Sequence, residues 1–156
     1  MSMWPNNSIA SNLLFRALLL VASLVAADAS KASERTTNMK IRISIADKVV
    51  IATVADNATA RDFVSLLPLS VSMKDLFGRE KYGDLPKALS GNGPRKNTYE
   101  VGDIAYWSPD HQFAVYYHQD GESIPSPGVI SIAKIDAGVE AFNVPGSVKV
   151  TVAVAR

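Results

Sequence analysis

The sequence contains no cysteine and only two histidines, and its charge is nearly balanced, with 16 Lys and Arg against 15 Asp and Glu. Without a thiol there is no disulfide, no thiolate nucleophile, no cysteine zinc site and no lipid-modified cysteine. A formal charge of +1, with no basic block or acidic tail, excludes the electrostatic footprint of a nucleic-acid or membrane-surface binder. His111 and His118 have no carboxylate at ligand spacing, so no metal site is expected, and nothing in the sequence calls for a cofactor. Long apolar runs are equally scarce. The one such run, "LLFRALLLVASLVAA" from Leu13 to Ala27, is uninterrupted after Arg16 for only about 11 residues, the length of a signal-peptide core and too short to span a bilayer.

What is present suits one domain: 156 residues, 47% of them apolar, can bury a single core. Ala27-Asp28-Ala29 supplies small residues at the two positions a signal peptidase reads, so residues 1–29 read as a signal peptide and Ser30 as the mature N-terminus. This predicts a periplasmic or secreted protein with no membrane span after cleavage. Met39 directly precedes the first patterned strand, and a start there would instead give a cytoplasmic product. Residues 30–38, "SKASERTTN", are polar and aperiodic and read as a flexible lead-in to a domain over 39–156.

From Lys40 onward the pattern has period two. Ile41, Ile43 and Ile45 share a face, Ala46-Asp47-Lys48 turns, and "VVIATV" returns as a second strand. Asn57 can cap a helix in which Ala60, Phe63, Val64 and Leu67 recur at helical spacing, until Pro68 ends it. Leu69, Val71 and Met73 alternate with polar residues as the next strand. The stretch 75–102 is broken by Gly78, Gly83, Pro86, Gly91, Gly93 and Pro94 and reads as loops with one helical turn near Leu85 to Leu89. "DIAYW" and "FAVYY" form an aromatic hairpin, "GVISIAKID" a further strand and "VEAF" a brief one, and "SVKVTVAVA" places Val148, Val150, Val152 and Val154 on one face. Seven or eight strands with one helix, at about residues 58–67, suffice to close a barrel and so remove exposed edges.

Taken together, "MKIRISI", "NATARDFVSLLPLSVSMKD", "EKYGDLP", "GDIAYWSP" with "FAVYYH", and "GVISIAKID" resemble the small bacterial cyclophilin-like domains over nearly all of residues 39–156. The resemblance implies a mainly β fold, a closed cyclophilin-like barrel of about eight strands with the helix plugging one opening. It also suggests peptidyl-prolyl isomerisation, but the F-H-R and Q-G-G-D runs of true cyclophilins are missing, and a shared fold does not carry a reaction with it.

Candidate residues follow from clustering. Tyr106, Trp107, Phe113, Tyr116 and Tyr117 crowd two alternating strands, so they cannot all face the core; the outward ones, beside His118, are expected to line a binding surface for a peptide or small molecule. Arg61 is either an anion- or carbonyl-binding group at the barrel mouth or a structural ion pair with Asp75, Glu80 or another carboxylate. The binding set is thus Arg61, Tyr106, Trp107, Phe113, Tyr117 and His118, with Arg61 the candidate catalytic residue. Ser108, Asp110 and His111 have the residue types of a hydrolase triad, but on one tight turn they cannot align as nucleophile, base and orienter. "GNGPRK" departs from a phosphate loop and reads as a turn. The functional expectation is a non-catalytic binding module, with a divergent isomerase as the alternative and an envelope assembly partner as a third possibility.

Overall fold

The computed structural model describes residues 39–156; the signal peptide and lead-in expected over residues 1–38 lie outside the described residues. In chain order the elements are β1 (Lys40–Ile45), β2 (Lys48–Val54), α1 (Ala58–Ser65), β3 (Leu69–Leu76), β4 (Glu80–Asp84), β5 (Arg95–Lys96), β6 (Asp103–Trp107), β7 (Gln112–Tyr116), β8 (Val129–Ala137), a 3-10 turn (Val139–Phe142) and β9 (Val148–Val154). The sheet runs β2-β1-β9-β3-β4-β7-β6-β8, and β8 pairs back onto β2, closing an antiparallel barrel of eight strands. The two-residue β5 attaches to β8 from outside the ring.

Closure follows from alternation. Ile41, Ile43, Ile45, Val50, Ala52, Val71, Met73, Ile104, Tyr106, Phe113, Val115, Ile130, Val150 and Val152 all point inward and form one buried cluster. β-Branched residues dominate because their stiff side chains fit a pleated surface at little entropic cost. Four stretches differ from the sequence expectation, and the shortest is Arg95-Lys96 of "GNGPRK", a strand paired to β8 rather than part of a turn. "EKYGD" is a full strand, paired to β3 and β7, rather than a loop. Residues 85–89 carry no helical turn, although Leu85 and Leu89 are buried. "VEAF" is a 3-10 turn rather than a strand. Gly83 explains why β4 can sit where it does: a Cβ there would collide with Val71 Cγ1, so only glycine lets the strand pass so close to β3.

The two barrel ends are closed by different physics. At the end where β2 stops and β3 starts, α1 lays Phe63 over the opening, its ring 5.4 Å from that of Phe113. Burial of a phenylalanine contributes about 2–3 kcal/mol. Asn57 Oδ1 accepts from the Ala60 amide at 2.8 Å and Asn57 Nδ2 donates to the Ser131 carbonyl at 2.8 Å, so one side chain both caps the helix and pins it to β8. The long loop after β4 is tied to the same helix: the Ser90 amide donates to Asp62 Oδ2, Thr59 Oγ1 donates to the Ser90 carbonyl, and the Leu89 amide donates to the buried Tyr106 hydroxyl.

At the opposite end the plug is charged. Lys81 points inward from β4 and its side chain is fully buried. Desolvating an ammonium costs several kcal/mol unless every proton finds an acceptor. Here all three do: Asp75 Oδ2 at 2.8 Å and the carbonyls of Val144 at 2.6 Å and Gly146 at 2.7 Å. The Tyr117 hydroxyl donates to the same Asp75 oxygen at 2.6 Å, and its ring lies 5.7 Å from the ammonium. Burial alone would raise the Asp75 carboxyl, but the hydrogen bonds from Lys81 and Tyr117 win and hold it below its ordinary value. Burial, together with the bond to Asp75, pushes the Tyr117 phenol up to about 12.

Candidate functional site

The outer face of the barrel is not uniformly polar. On β4, β6 and β7 the residues that alternate with the core are Glu80, Tyr82, Ala105, Trp107, Gln112, Ala114 and Tyr116, and several of these join Tyr99, Ile124 and Val129 in a second apolar cluster outside the barrel wall. Small Ala114 lies opposite Tyr82 on β4 and opposite Ala105 on β6, which leaves a depression in the wall. The result is a groove of about 370 Å³ floored by Ala114 and walled by Tyr82, Trp107, Tyr116, Ile124 and Pro125, within the size range of small-molecule sites.

The far wall comes from the segment 119–127, which has no regular structure and is held by hydrogen bonds to residues 97–99. The Ile124 amide donates to the Asn97 carbonyl at 2.8 Å, and Asn97 Nδ2 donates to the Ile124 carbonyl at 3.0 Å. The Tyr99 hydroxyl donates to Asp120 Oδ1 at 2.6 Å, and the Tyr99 ring stacks on Tyr116 at 4.4 Å. Gly128 ends the wall at φ +77°, where a Cβ would also strike the Lys96 carbonyl oxygen at 2.6 Å.

The near wall ends in an unusual residue. Phe77 sits on the β3–β4 turn at φ +58°, a left-handed conformation that a bulky side chain rarely adopts, and is 77% exposed on the groove rim. Behind it lies Arg79, with the guanidinium carbon 5.5 Å from the Phe77 ring centre and 5.3 Å from that of Tyr99. Arg79 is spent on carboxylates: Nε and Nη2 reach Glu80 Oε2 at 3.1 Å each and Nη1 reaches Asp120 Oδ2 at 3.4 Å. Burial opposes the charged guanidinium, yet Glu80 and Asp120 outweigh it and raise its pKa. Burial lifts the Glu80 carboxyl even against Arg79, and burial together with Glu80 lifts the Tyr116 phenol. At the other end of the groove Trp107 Nε1 donates to Asp110 Oδ2 at 3.1 Å, and Gln112 Nε2 donates to Asp84 Oδ1 at 2.7 Å.

Of the residues expected to bind, the groove brings in one. Trp107 lines it. Tyr106 and Phe113 have the opposite parity on the same strands and are buried in the barrel core, so neither can be part of an outer binding surface. Tyr117 belongs to the Asp75–Lys81 plug. His118 is exposed, and its backbone amide donates to the Arg79 carbonyl at 3.2 Å. Arg61 is exposed on α1 and is not among the groove residues, and its Nη1 pairs with Asp56 Oδ1 at 2.9 Å. Among the described residues no group of acidic side chains and histidines is arranged to hold a metal ion, and no helix is long and apolar enough to cross a membrane. The groove residues outside the expected binding set include Phe77, Arg79, Glu80, Tyr82, Ala114, Tyr116 and Ile124; for Glu80 and Tyr82 the signal was their same-face spacing on "EKYGD".

Comparison with known proteins agrees with this architecture. A solution structure of a hypothetical protein from Archaeoglobus fulgidus superposes with a TM-score of 0.63 at 21% identity, covering 76% of this chain and 96% of that one, a likeness of fold. No curated protein matches the chain. The family model described as the Cyclophilin-like family matches residues 43–153, and the chain belongs to that family.

Proposed function

We propose that this protein is a non-catalytic binding barrel whose ligand site is the groove over Ala114, walled by Tyr82, Trp107, Tyr116 and the 119–127 segment. The observation that carries this reading is the pairing of a ready-made aromatic groove with an arginine already committed to Glu80 and Asp120. A rigid wall of flat rings buries ligand area at little entropic cost, which favours binding, whereas a reaction needs a group free to act on the reacting atoms. The ligand is a peptide or small molecule of a size to fill about 370 Å³.

Titrating the full chain with a panel of prolyl peptides, sugars and aromatic metabolites, read by Trp107 fluorescence against a Trp107→Phe blank, tests the reading. At least one class should change the emission, and Ala114→Leu, which fills the floor, should weaken that response by tenfold or more. A chain indifferent to the whole panel, or one whose response survives Ala114→Leu, contradicts it.

The isomerase alternative moves from Arg61 to Arg79, the arginine that borders the aromatic groove. It requires the Arg79–Glu80 pair to open so that a guanidinium N–H can reach a substrate carbonyl, and it predicts faster cis-trans exchange in a prolyl peptide, lost in Arg79→Ala.

A further inference from the structure

Resting on that reading of the groove, we infer that its ligand carries a positive charge: an organic ammonium, or a Lys or Arg side chain of a peptide, attached to an apolar or aromatic body. Three observations converge on this. First, the charged side chains lining the groove are Arg79, Glu80 and Asp110, one cation against two carboxylates, and Arg79 is further neutralised from behind by Asp120. With its side chain only 7% exposed and shared between two carboxylates, Arg79 has no field left to offer an incoming anion.

Second, two acceptor oxygens on groove-lining residues have no donor of their own. Asp110 uses Oδ2 for the Trp107 indole and keeps Oδ1, and Gln112 gives one amide proton to Asp84 and keeps its carbonyl oxygen, beside its second N–H, for a donor. Third, the walls are electron-rich aromatic side chains. Trp107 lines the groove next to Asp110, and Phe77, exposed on the rim, already has the Arg79 guanidinium near its ring, so the site holds one cation–aromatic contact of its own. Aromatic walls beside an exposed carboxylate attract a desolvating cation and repel a carboxylate or phosphate.

The test uses three probes with one body and different heads: 2-phenylethylammonium, 2-phenylethanol and 3-phenylpropionate. Each is titrated into the full chain at low salt while the Trp107 indole resonance and the backbone amides of Ala114 and Val129 are followed by NMR. The ammonium should bind about tenfold more tightly than the propionate, with the alcohol between them. Asp110→Asn, a change in an exposed turn, should reduce that preference severalfold, and Gln112→Lys should reverse it. Groove resonances that shift equally with all three heads, or more with the propionate, overturn the charge assignment while leaving a binding groove in place. A preference unchanged in both Asp110→Asn and Gln112→Lys also overturns it. Silence from all three probes sinks the groove and the charge assignment together. An acetyl-Phe-Lys-Phe-amide arm, set against its Phe-Glu-Phe counterpart, separates the sources: tighter binding than the free amine marks a basic peptide, weaker binding a small organic cation.

Discussion

Lys81 illustrates how one residue can both obscure a strand and secure it. An inward lysine breaks the hydrophobic alternation by which a half-buried strand is recognised, and its inward partner Gly83 has no side chain to restore it, so "EKYGD" has the composition of a loop. In space the ammonium is a barrel plug whose three protons are met by Asp75 and two carbonyls. Removing the counter-charge should therefore cost more than a surface salt bridge would: Asp75→Asn is expected to lower stability in urea by about 3 kcal/mol, because it leaves a buried cation with no opposite charge beside it. The pH dependence has a definite sign. The folded-state pKa of Asp75 lies below its ordinary value of 3.8, so its contribution is complete above that value and is lost as pH falls through the lower, folded one. Stability measured from pH 6 to 2 should fall less steeply below about pH 4 in Asp75→Asn than in the parent. An equally steep acid limb in the variant would show that Asp75 is not held by Lys81 and Tyr117.

Among the elements, α1 was legible from sequence because its signals are local: a cap, a 3.6-residue stripe and a terminating proline. The hairpin of β6 and β7 was legible for the same reason, as a period-two pattern about a turn. What one chain could not reveal was parity. Tyr106 and Trp107 are adjacent aromatics, and only the closure of the ring decides that the first enters the core and the second the groove. The 119–127 segment was less legible still, since it becomes a wall only through hydrogen bonds from Asn97 and Tyr99, some 20 to 27 residues away in sequence. Where a local signal coincides with a long-range contact, as at Asn57, the two can be separated. Asn57→Ala should cost about 1–2 kcal/mol by urea denaturation. Asn57→Asp should recover most of the capping share but not the bond to the Ser131 carbonyl. Equal stability for parent and Asn57→Ala would mean that the cap does not hold α1 over the opening.

For the whole molecule, on the proposed reading, the barrel separates stability from recognition. The inner face and its two plugs, Phe63 at one end and Lys81 at the other, hold the ring closed, and the outer face of β4, β6 and β7 carries a groove that the core does not need. Membership of the Cyclophilin-like family accounts for the ring, and the chain's own residues Trp107, Ala114, Tyr116 and Arg79 account for the groove. The most direct test of that division is NMR on a prolyl peptide mixed with the full chain, recording cis-trans exchange in the peptide and chemical shifts in the protein together. The exchange rate should equal that in buffer, with any protein shifts gathered at Trp107, Ala114, Tyr116 and Val129. Accelerated exchange lost in Arg79→Ala, or shifts gathered around Arg61 and His118 instead, would contradict it.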